Sequence, residues 1–81
     1  MRPFLVQTPE QLGSILRGYR RERGLTQGQL AATIGVAQSA ISFAETHPDR
    51  IGVERLFRIL AGLNVELVLR DRGAQKTASE W

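Results

Sequence analysis

The sequence predicts a mostly α-helical domain of four helices, followed by a short β-strand near the C terminus. Three observations support this fold class. Helix start signals of the form Thr-x-x-Gln stand at Thr8 and Thr26, each followed by apolar residues at helical spacing. Glycines that can end a helix follow both patterns, at Gly24 and Gly35. Only after Asn64 does the apolar period change from about 3.6 residues to about 2, which indicates a strand.

The first predicted helix begins at Thr8, with Pro9 at its first helical position and Gln11 completing a capping box. Its apolar residues recur at helical spacing and predict one buried face, made of Leu12, Ile15, Leu16 and Tyr19. For Tyr19, this spacing favours a place in the core over the alternative of stacking on a base. We expect the helix to end at Gly24.

Positive charge is concentrated in the first third of the chain. The net charge of the 81 residues is +3, and residues 1–27 carry five arginines against two glutamates. Four of the arginines crowd the C-terminal part of the first helix, where the helix dipole favours cations: Arg17, Arg20, Arg21 and Arg23. We expect this cluster, together with Gln27, to contact the phosphates of a nucleic acid, and the alternative is a solvated helix end.

The second and third predicted helices meet at a glycine, as in a helix-turn-helix. The second covers residues 27–34 behind a capping box of Thr26 and Gln29, and Gly35 supplies the turn. The third helix begins near Ala37. Its apolar residues fall within an arc of roughly 140° at about 100° per residue, which predicts a buried face. They are Val36, Ala37, Ala40, Ile41 and Ala44.

The opposite face of the third helix carries amide, hydroxyl and aromatic groups and no charge: Gln38, Ser39, Ser42 and Phe43. Glutamine can pair with adenine N6 and N7 in the major groove, serine can bond to either base type, and phenylalanine can pack on a thymine methyl group. We therefore predict that these four residues read DNA bases. The alternatives are a bland polar surface for Gln38 and the serines, and core packing for Phe43.

The fourth predicted helix follows a loop at residues 46–50. In this region His47, Glu45 and Asp49 offer too few ligands for a metal site, so we expect none. The helix begins after Gly52, with Ile51 and Leu56 placed as a hydrophobic staple. Its predicted apolar face consists of Val53, Leu56, Phe57, Leu60 and Leu63.

Residues 64–70 predict a strand, with Val65, Leu67 and Leu69 on one side. A lone strand leaves backbone groups unpaired, so it must pair with residues 4–6, with its own copy in a second subunit, or with both. This is the argument from the residues for a homodimer. We place the folded domain at residues 1–71.

The remaining residues, 72–81, predict a flexible tail, because they are small and polar and lack periodicity. The tail ends in Trp81, the only tryptophan of the chain. Because tryptophan is typical of binding hot spots, Trp81 is a candidate hook for another protein. The alternative is that its position is accidental.

Composition narrows the remaining classes of function. The chain has no cysteine, which excludes disulfides and thiol nucleophiles. No apolar run approaches the roughly 20 residues of a membrane span, and the N terminus does not resemble a signal peptide, so we expect a cytoplasmic protein. The sequence does not indicate a nucleophile, a base and an orienting group in one convergent site. We therefore expect neither an enzymatic activity nor a cofactor.

The helix-turn-helix segment, TQGQLAATIGVAQSAIS, resembles the Xre/lambda-repressor-like family of DNA-binding domains. The chain as a whole resembles the HipB-like antitoxins, the DNA-binding halves of HipA-type toxin-antitoxin operons. This wider resemblance runs from the Thr8-Pro9 helix start through the His-Pro-Asp loop, the helix ending ILAGL and the strand VELVL to the final Glu-Trp.

The resemblance implies a four-helix lambda-repressor-like helix-turn-helix domain that dimerises through its C-terminal β-strand. It also implies two partners: palindromic double-stranded DNA operators of its own operon, and a HipA-type serine/threonine kinase toxin. In the family the terminal tryptophan enters a pocket on the toxin, which corresponds to Trp81 here. The base-contact positions correspond to Gln38, Ser39 and Ser42, whereas Ala37 and Phe43 depart from the residues common at their positions.

We therefore expect a transcriptional repressor that is also an antitoxin. Two other interpretations remain open from the sequence. In one, toxin binding is the main activity and DNA binding is auxiliary. In the other, the chain is a phage-type or general Xre regulator with no toxin partner.

Overall fold

The computed structural model describes residues 4–73 of the chain. In order, the helices are α1 (Pro9–Glu22), α2 (Gln27–Ile34), α3 (Gln38–Thr46) and α4 (Val53–Leu63), with one 3-10 turn at Pro48–Arg50 between the last two. All four predicted helices are therefore confirmed. No helix in this part of the chain is long and apolar enough to cross a membrane.

The predicted start signals act as helix caps. The Thr8 hydroxyl accepts a hydrogen bond from the backbone N–H of Gln11 at 3.2 Å, and that of Thr26 accepts from Gln29 at 3.0 Å. Both capping boxes are complete. Gly35 ends α2 in the left-handed conformation, with φ of 74°, which glycine adopts readily because it has no Cβ atom. α1 ends slightly earlier than predicted, at Glu22 rather than at Gly24.

One hydrophobic core joins the four helices: Leu16, Leu30, Ala31, Ile41, Ala44, Ile59, Leu60 and Leu63. Two close approaches depend on glycine. A Cβ atom on Gly13 of α1 would lie 2.5 Å from the carbonyl oxygen of Glu45 in α3, and one on Gly62 of α4 would lie 2.5 Å from Cγ2 of Ile34 in α2. The helices can pack at these distances only because both positions lack a side chain.

The predicted apolar face of α4 is partly wrong. Val53 and Phe57 are 66% and 51% exposed, whereas Ile59, which the prediction omitted, is buried. At about 100° per residue, Ile59, Leu60 and Leu63 share one narrow side of the helix and Phe57 points away from it. Val53 lies in the first turn, where it remains largely open to solvent.

The predicted strand does not form within the described part of this single chain. Residues 65–71 follow α4 without strand pairing, and residues 4–6 are not paired with them. Val65 packs against the core, and its N–H donates to the carbonyl of Leu60 at 2.9 Å, while Leu67 and Leu69 are 51% and 90% exposed. One copy supplies no neighbouring strand, so pairing across a dimer remains a prediction.

The first residues described lie against α1. The ring of Phe4 meets that of Tyr19 edge-on, with 5.5 Å between the ring centroids. The guanidinium of Arg23 lies 4.8 Å above the centre of the same tyrosine ring, and its Nε donates to the carbonyl of Leu63 at 2.6 Å. Tyr19 is partly buried against the core, as its spacing predicted.

A buried ion pair joins α1 to α3. The side chain of Glu45 is 2% exposed and that of Arg20 is 10% exposed. Nε of Arg20 donates to Oε2 of Glu45 at 2.6 Å, and Nη2 donates to Oε1 at 3.2 Å. The remaining Arg20 nitrogen, Nη1, donates to the carbonyl of Leu25 at 2.8 Å. This two-point geometry fixes the position of α3 on α1.

Further donors complete the surroundings of Glu45. Nε2 of Gln27 donates to its Oε1 at 3.1 Å, and Nε of Arg17 lies 3.4 Å from the same oxygen. Burial alone would raise the pKa of the Glu45 carboxyl. The hydrogen bonds from Arg20, Gln27 and Arg17, together with the charge of Arg20, outweigh burial and hold the pKa below its ordinary value.

Stability should therefore fall in acid through Glu45. Because the folded pKa is lower than the unfolded value of about 4.3, the contribution of this carboxylate is present above that pH and is lost as the pH falls through the folded pKa. We expect the unfolding free energy, measured by urea denaturation between neutral pH and pH of about 3, to decline in this window.

The matched control is the double variant Arg20→Met with Glu45→Met, which replaces the pair with apolar side chains and strands no buried charge. It should fold and show a shallower decline of unfolding free energy below pH of about 4.3. An equal decline in the double variant and the original chain would contradict the assignment to Glu45.

Candidate nucleic-acid interface

α2 and α3 pack as a helix-turn-helix around the Gly35 turn. Leu30 and Ala31 of α2 and Ile41 and Ala44 of α3 are all at most 2% exposed and form the contact between the helices. α3 has only nine residues, and its N-cap residue, Ala37, makes no side-chain capping bond. Its apolar face and the Glu45 ion pair therefore hold it in place.

The predicted base-reading residues lie on the outer side of α3. Gln38 and Ser39 are exposed and Ser42 is half-buried. Phe43 is 39% exposed, and its ring lies against that of His47 with 5.2 Å between centroids, so it is not a core residue. This face is open, lacks charge and carries the donors and acceptors that base edges require.

Gln38 is linked to the interior through Gln27. Nε2 of Gln38 donates to Oε1 of Gln27 at 2.7 Å, and Gln27 in turn donates to Glu45. Gln27 is the first residue of α2 and Gln38 the first of α3, so the bond joins the starts of the two helices. A shallow open groove beside them is also lined by Arg21 and Thr26.

Two of the four predicted phosphate-contacting arginines have other roles in the structure. Arg20 is buried in the ion pair, so its prediction as a backbone contact is wrong for this conformation. Arg23 binds the carbonyl of Leu63 and the carboxylate of Glu22. Arg20 follows the buried Leu16 by four residues, and that spacing is the sequence signal that places it on the inner face.

The other two arginines remain available at the surface. Arg21 is exposed and lines the groove beside Gln27 and Gln38. Arg17 has a side chain 37% exposed, with a single long contact to Glu45. Of the predicted cluster, these are the two that a phosphate could reach.

Two arginines that the sequence alone does not single out lie beside a second part of the outer face of α3. Arg50 and Arg55 line a second shallow groove together with Ser39 and Phe43. Arg50 ends the 3-10 turn and Arg55 lies in the first turn of α4. Neither stood out in the sequence, because the local charge there is balanced by acidic residues and only the fold brings them beside α3.

From the sequence, Glu45 was notable only as one of three residues, with His47 and Asp49, that offer too few ligands for a metal site. The structure gives it a different role. Both of its carboxylate oxygens are occupied by donors from α1 and α2.

Trp81, the predicted toxin-binding residue, lies outside the described residues.

Comparisons with known proteins agree with this architecture. A helix-turn-helix family model matches residues 16–69. Antitoxin HipB of Escherichia coli is 34% identical over 76 residues, covering 93% of this chain and 81% of that protein. HipB of a second E. coli strain is 35% identical over 66 residues, covering 82% of this chain and 75% of that protein.

Solved structures show the same likeness. A chain in a HipA-HipB-O2-O3 complex is similar with a TM-score of 0.83 at 32% identity, covering 88% of this chain and 100% of that one. A restriction-modification controller protein is similar with a TM-score of 0.68 at 26% identity, covering 72% of this chain and 75% of that one. Because the family match spans more than half of the chain and the HipB relatives align over most of their length, the chain belongs to the helix-turn-helix family and, within it, to the HipB-like proteins.

Proposed function

We propose that this chain is a sequence-specific DNA-binding repressor and the antitoxin of a HipA-type kinase toxin, and that it binds the operators of its own operon as a homodimer. The observation that carries the proposal is the open, uncharged, hydrogen-bonding face of α3 on a fold similar to a HipB chain in a HipA-HipB-O2-O3 complex. The protein acts by binding in the cytoplasm and catalyses no reaction.

Base readout falls to the outer face of α3. The Gln38 amide pairs with an adenine in the major groove, while Ser39 and Ser42 bond to neighbouring base edges. Phe43, exposed beside His47, packs on a thymine methyl group. These roles are supported by the exposure of Gln38, Ser39 and Phe43 on the outer side of α3, where the half-buried Ser42 also lies.

Contacts to the phosphates hold α3 in register. Arg21 and Gln27 line a groove with Gln38, and Arg50 and Arg55 line a second groove with Ser39 and Phe43. Arg17, which lies one helical turn before Arg21, is the further candidate. Positive groups beside two parts of the base-reading face suit the phosphates that border a major groove. Affinity should therefore fall steeply as the salt concentration rises.

A dimer places two copies of α3 in successive major grooves, about 34 Å apart, on an inverted repeat. The segment containing Val65, Leu67 and Leu69 provides the contact between subunits. Its exposure in a single chain supports this assignment, because Leu69 is 90% exposed and the backbone of residues 66–70 has no partner strand within the described residues.

The antitoxin role rests on a separate part of the chain. Trp81 ends the sequence, beyond the described residues, and binds the kinase toxin as an aromatic anchor. DNA and toxin therefore use different surfaces, so that one chain can hold both partners. The interpretation as a regulator with no toxin partner is less well supported, given the similarity to HipB over most of the chain.

Replacing Gln38 by alanine should relax selectivity at one base pair of each half-site. We expect a loss of about 1 to 3 kcal/mol in binding to the preferred operator, because the paired donor and acceptor are removed. Binding-site selection from a randomised duplex pool measures this preference at each position.

The control is Arg21→Ala, which should weaken binding to all sequences about equally and lower the salt slope by about 1. Unchanged selectivity in the Gln38→Ala protein would exclude Gln38 from base readout.

Deleting Trp81 should weaken the complex with the toxin and leave operator affinity near that of the intact chain. The measurement is calorimetric titration with a purified HipA-type kinase, in parallel with operator titration. If toxin affinity is the same with and without Trp81, the residue is not the anchor.

A further inference from the structure

The first described residues form an exposed apolar segment. Phe4, Leu5 and Val6 are 60%, 67% and 42% exposed. No backbone–backbone hydrogen bond joins them to any other residue among 4–73. Consecutive apolar side chains that are open to solvent indicate a surface that another molecule covers.

A cluster of three side chains holds this segment close to the end of α4. The ring of Phe4 lies 5.5 Å from that of Tyr19, centroid to centroid, and the guanidinium of Arg23 lies 4.8 Å from the centre of the same tyrosine ring. Nε of Arg23 also donates to the carbonyl oxygen of Leu63, the last residue of α4, at 2.6 Å. Residues 4–6 and the C-terminal end of α4 therefore share one side of the molecule.

A second exposed apolar segment begins at the same place. Val65 is partly buried, and beyond it Leu67, Val68 and Leu69 are 51%, 74% and 90% exposed. This segment forms no strand pair with residues 4–6 of the same chain. Two apolar segments thus leave one cluster, and both remain open to solvent.

We propose that residues 4–6 belong to the subunit interface of the homodimer, where they pack on residues 67–69 of a second copy of the chain. The inference rests on the proposed function, in which residues 65–69 provide the contact between subunits, and it adds the N-terminal segment to that contact. The dimer then buries four apolar segments together, two from each copy.

Strand chemistry gives a reason for the added contact. A ribbon of two strands is marginally stable in water, and each of its strands keeps one unpaired edge. Residues 4–6 can cover such an edge, because their own backbone groups have no backbone partner among the described residues and their side chains are apolar.

The charge of the segment favours a second copy over DNA as its partner. Residues 4–8 read Phe-Leu-Val-Gln-Thr and carry no charge, so they offer nothing that neutralises a phosphate. The opposing segment at residues 67–69 is also entirely apolar. Because the cluster of Phe4, Tyr19 and Arg23 joins the two surfaces, a subunit that covers one of them reaches the other.

Disulfide cross-linking tests the contact directly, because the chain has no cysteine of its own. Leu5→Cys is introduced into one full chain, and Leu67→Cys, Val68→Cys or Leu69→Cys into a second chain that carries a mass tag. Three neighbouring positions cover the alternative registers. A disulfide requires Cα atoms within about 7 Å of each other. After the two chains are refolded together and mildly oxidised, we expect a covalent dimer of one tagged and one untagged chain in at least one mixture.

The matched control is Ser14→Cys in the untagged chain, at an exposed position of α1 outside the cluster. It should give no mixed covalent dimer with any of the three tagged chains.

Sedimentation equilibrium supplies a second measurement. Leu5→Gln should raise the dimer dissociation constant by about tenfold, because it places an amide where an apolar side chain is buried. Leu5→Met keeps the volume and the apolar character, so its dissociation constant should stay near that of the original chain. Since Leu5 is largely exposed within one chain, both variants should fold, which thermal denaturation checks.

Two kinds of result would overturn the inference, and they are distinguishable. If the original chain forms dimers but gives no mixed covalent dimer, or if Leu5→Gln dissociates no more readily than Leu5→Met, residues 4–6 lie outside the interface and the proposed function stands. If the original chain is monomeric at the concentrations at which it binds operator DNA, the homodimer of the proposed function fails and this inference fails with it.

Discussion

The pairing of Glu45 with Arg20 is the interaction on which the placement of α3 depends. A charge removed from water is costly unless an opposite charge and hydrogen bonds replace the lost solvation. Here the carboxylate has both, from two arginines and one glutamine on α1 and α2. Among the described residues no buried side-chain nitrogen or oxygen lacks a hydrogen-bond partner. The pair is fully satisfied in the observed geometry, and it links α3 directly to α1.

This constraint matters because α3 has little stability of its own. Isolated helices shorter than about 12 residues are marginal in water, and α3 has nine residues and no side-chain cap. Its inner face supplies the missing stability through Ile41 and Ala44, while Glu45 at its C-terminal end prevents it from rotating or sliding. The outer face is then rigid enough to present polar groups at fixed positions, which is what recognition of base edges requires. The inner face of this short helix thus packs on the core, and its outer face is free to contact bases.

Local signals in the sequence were sufficient for the helices and insufficient for the ion pair. Capping boxes at Thr8 and Thr26 and the left-handed turn at Gly35 act within a few residues, so they can be identified without the fold. Glu45 and Arg20 lie 25 positions apart, and each looks like an ordinary surface charge until the helices are packed. The same limit applies to Arg50 and Arg55, whose place beside α3 is a property of the tertiary structure. For the strand predicted at residues 64–70, the information missing from one chain is the partner against which it would pair.

The most direct test of the account is a crystal structure of the chain bound to its operator. We predict α3 in the major groove, with the oxygen and one N–H of the Gln38 amide facing an adenine and Gln27 still bonded between Gln38 and Glu45. A complex in which α3 lies outside the groove, or in which Gln38 faces away from the bases, would contradict it.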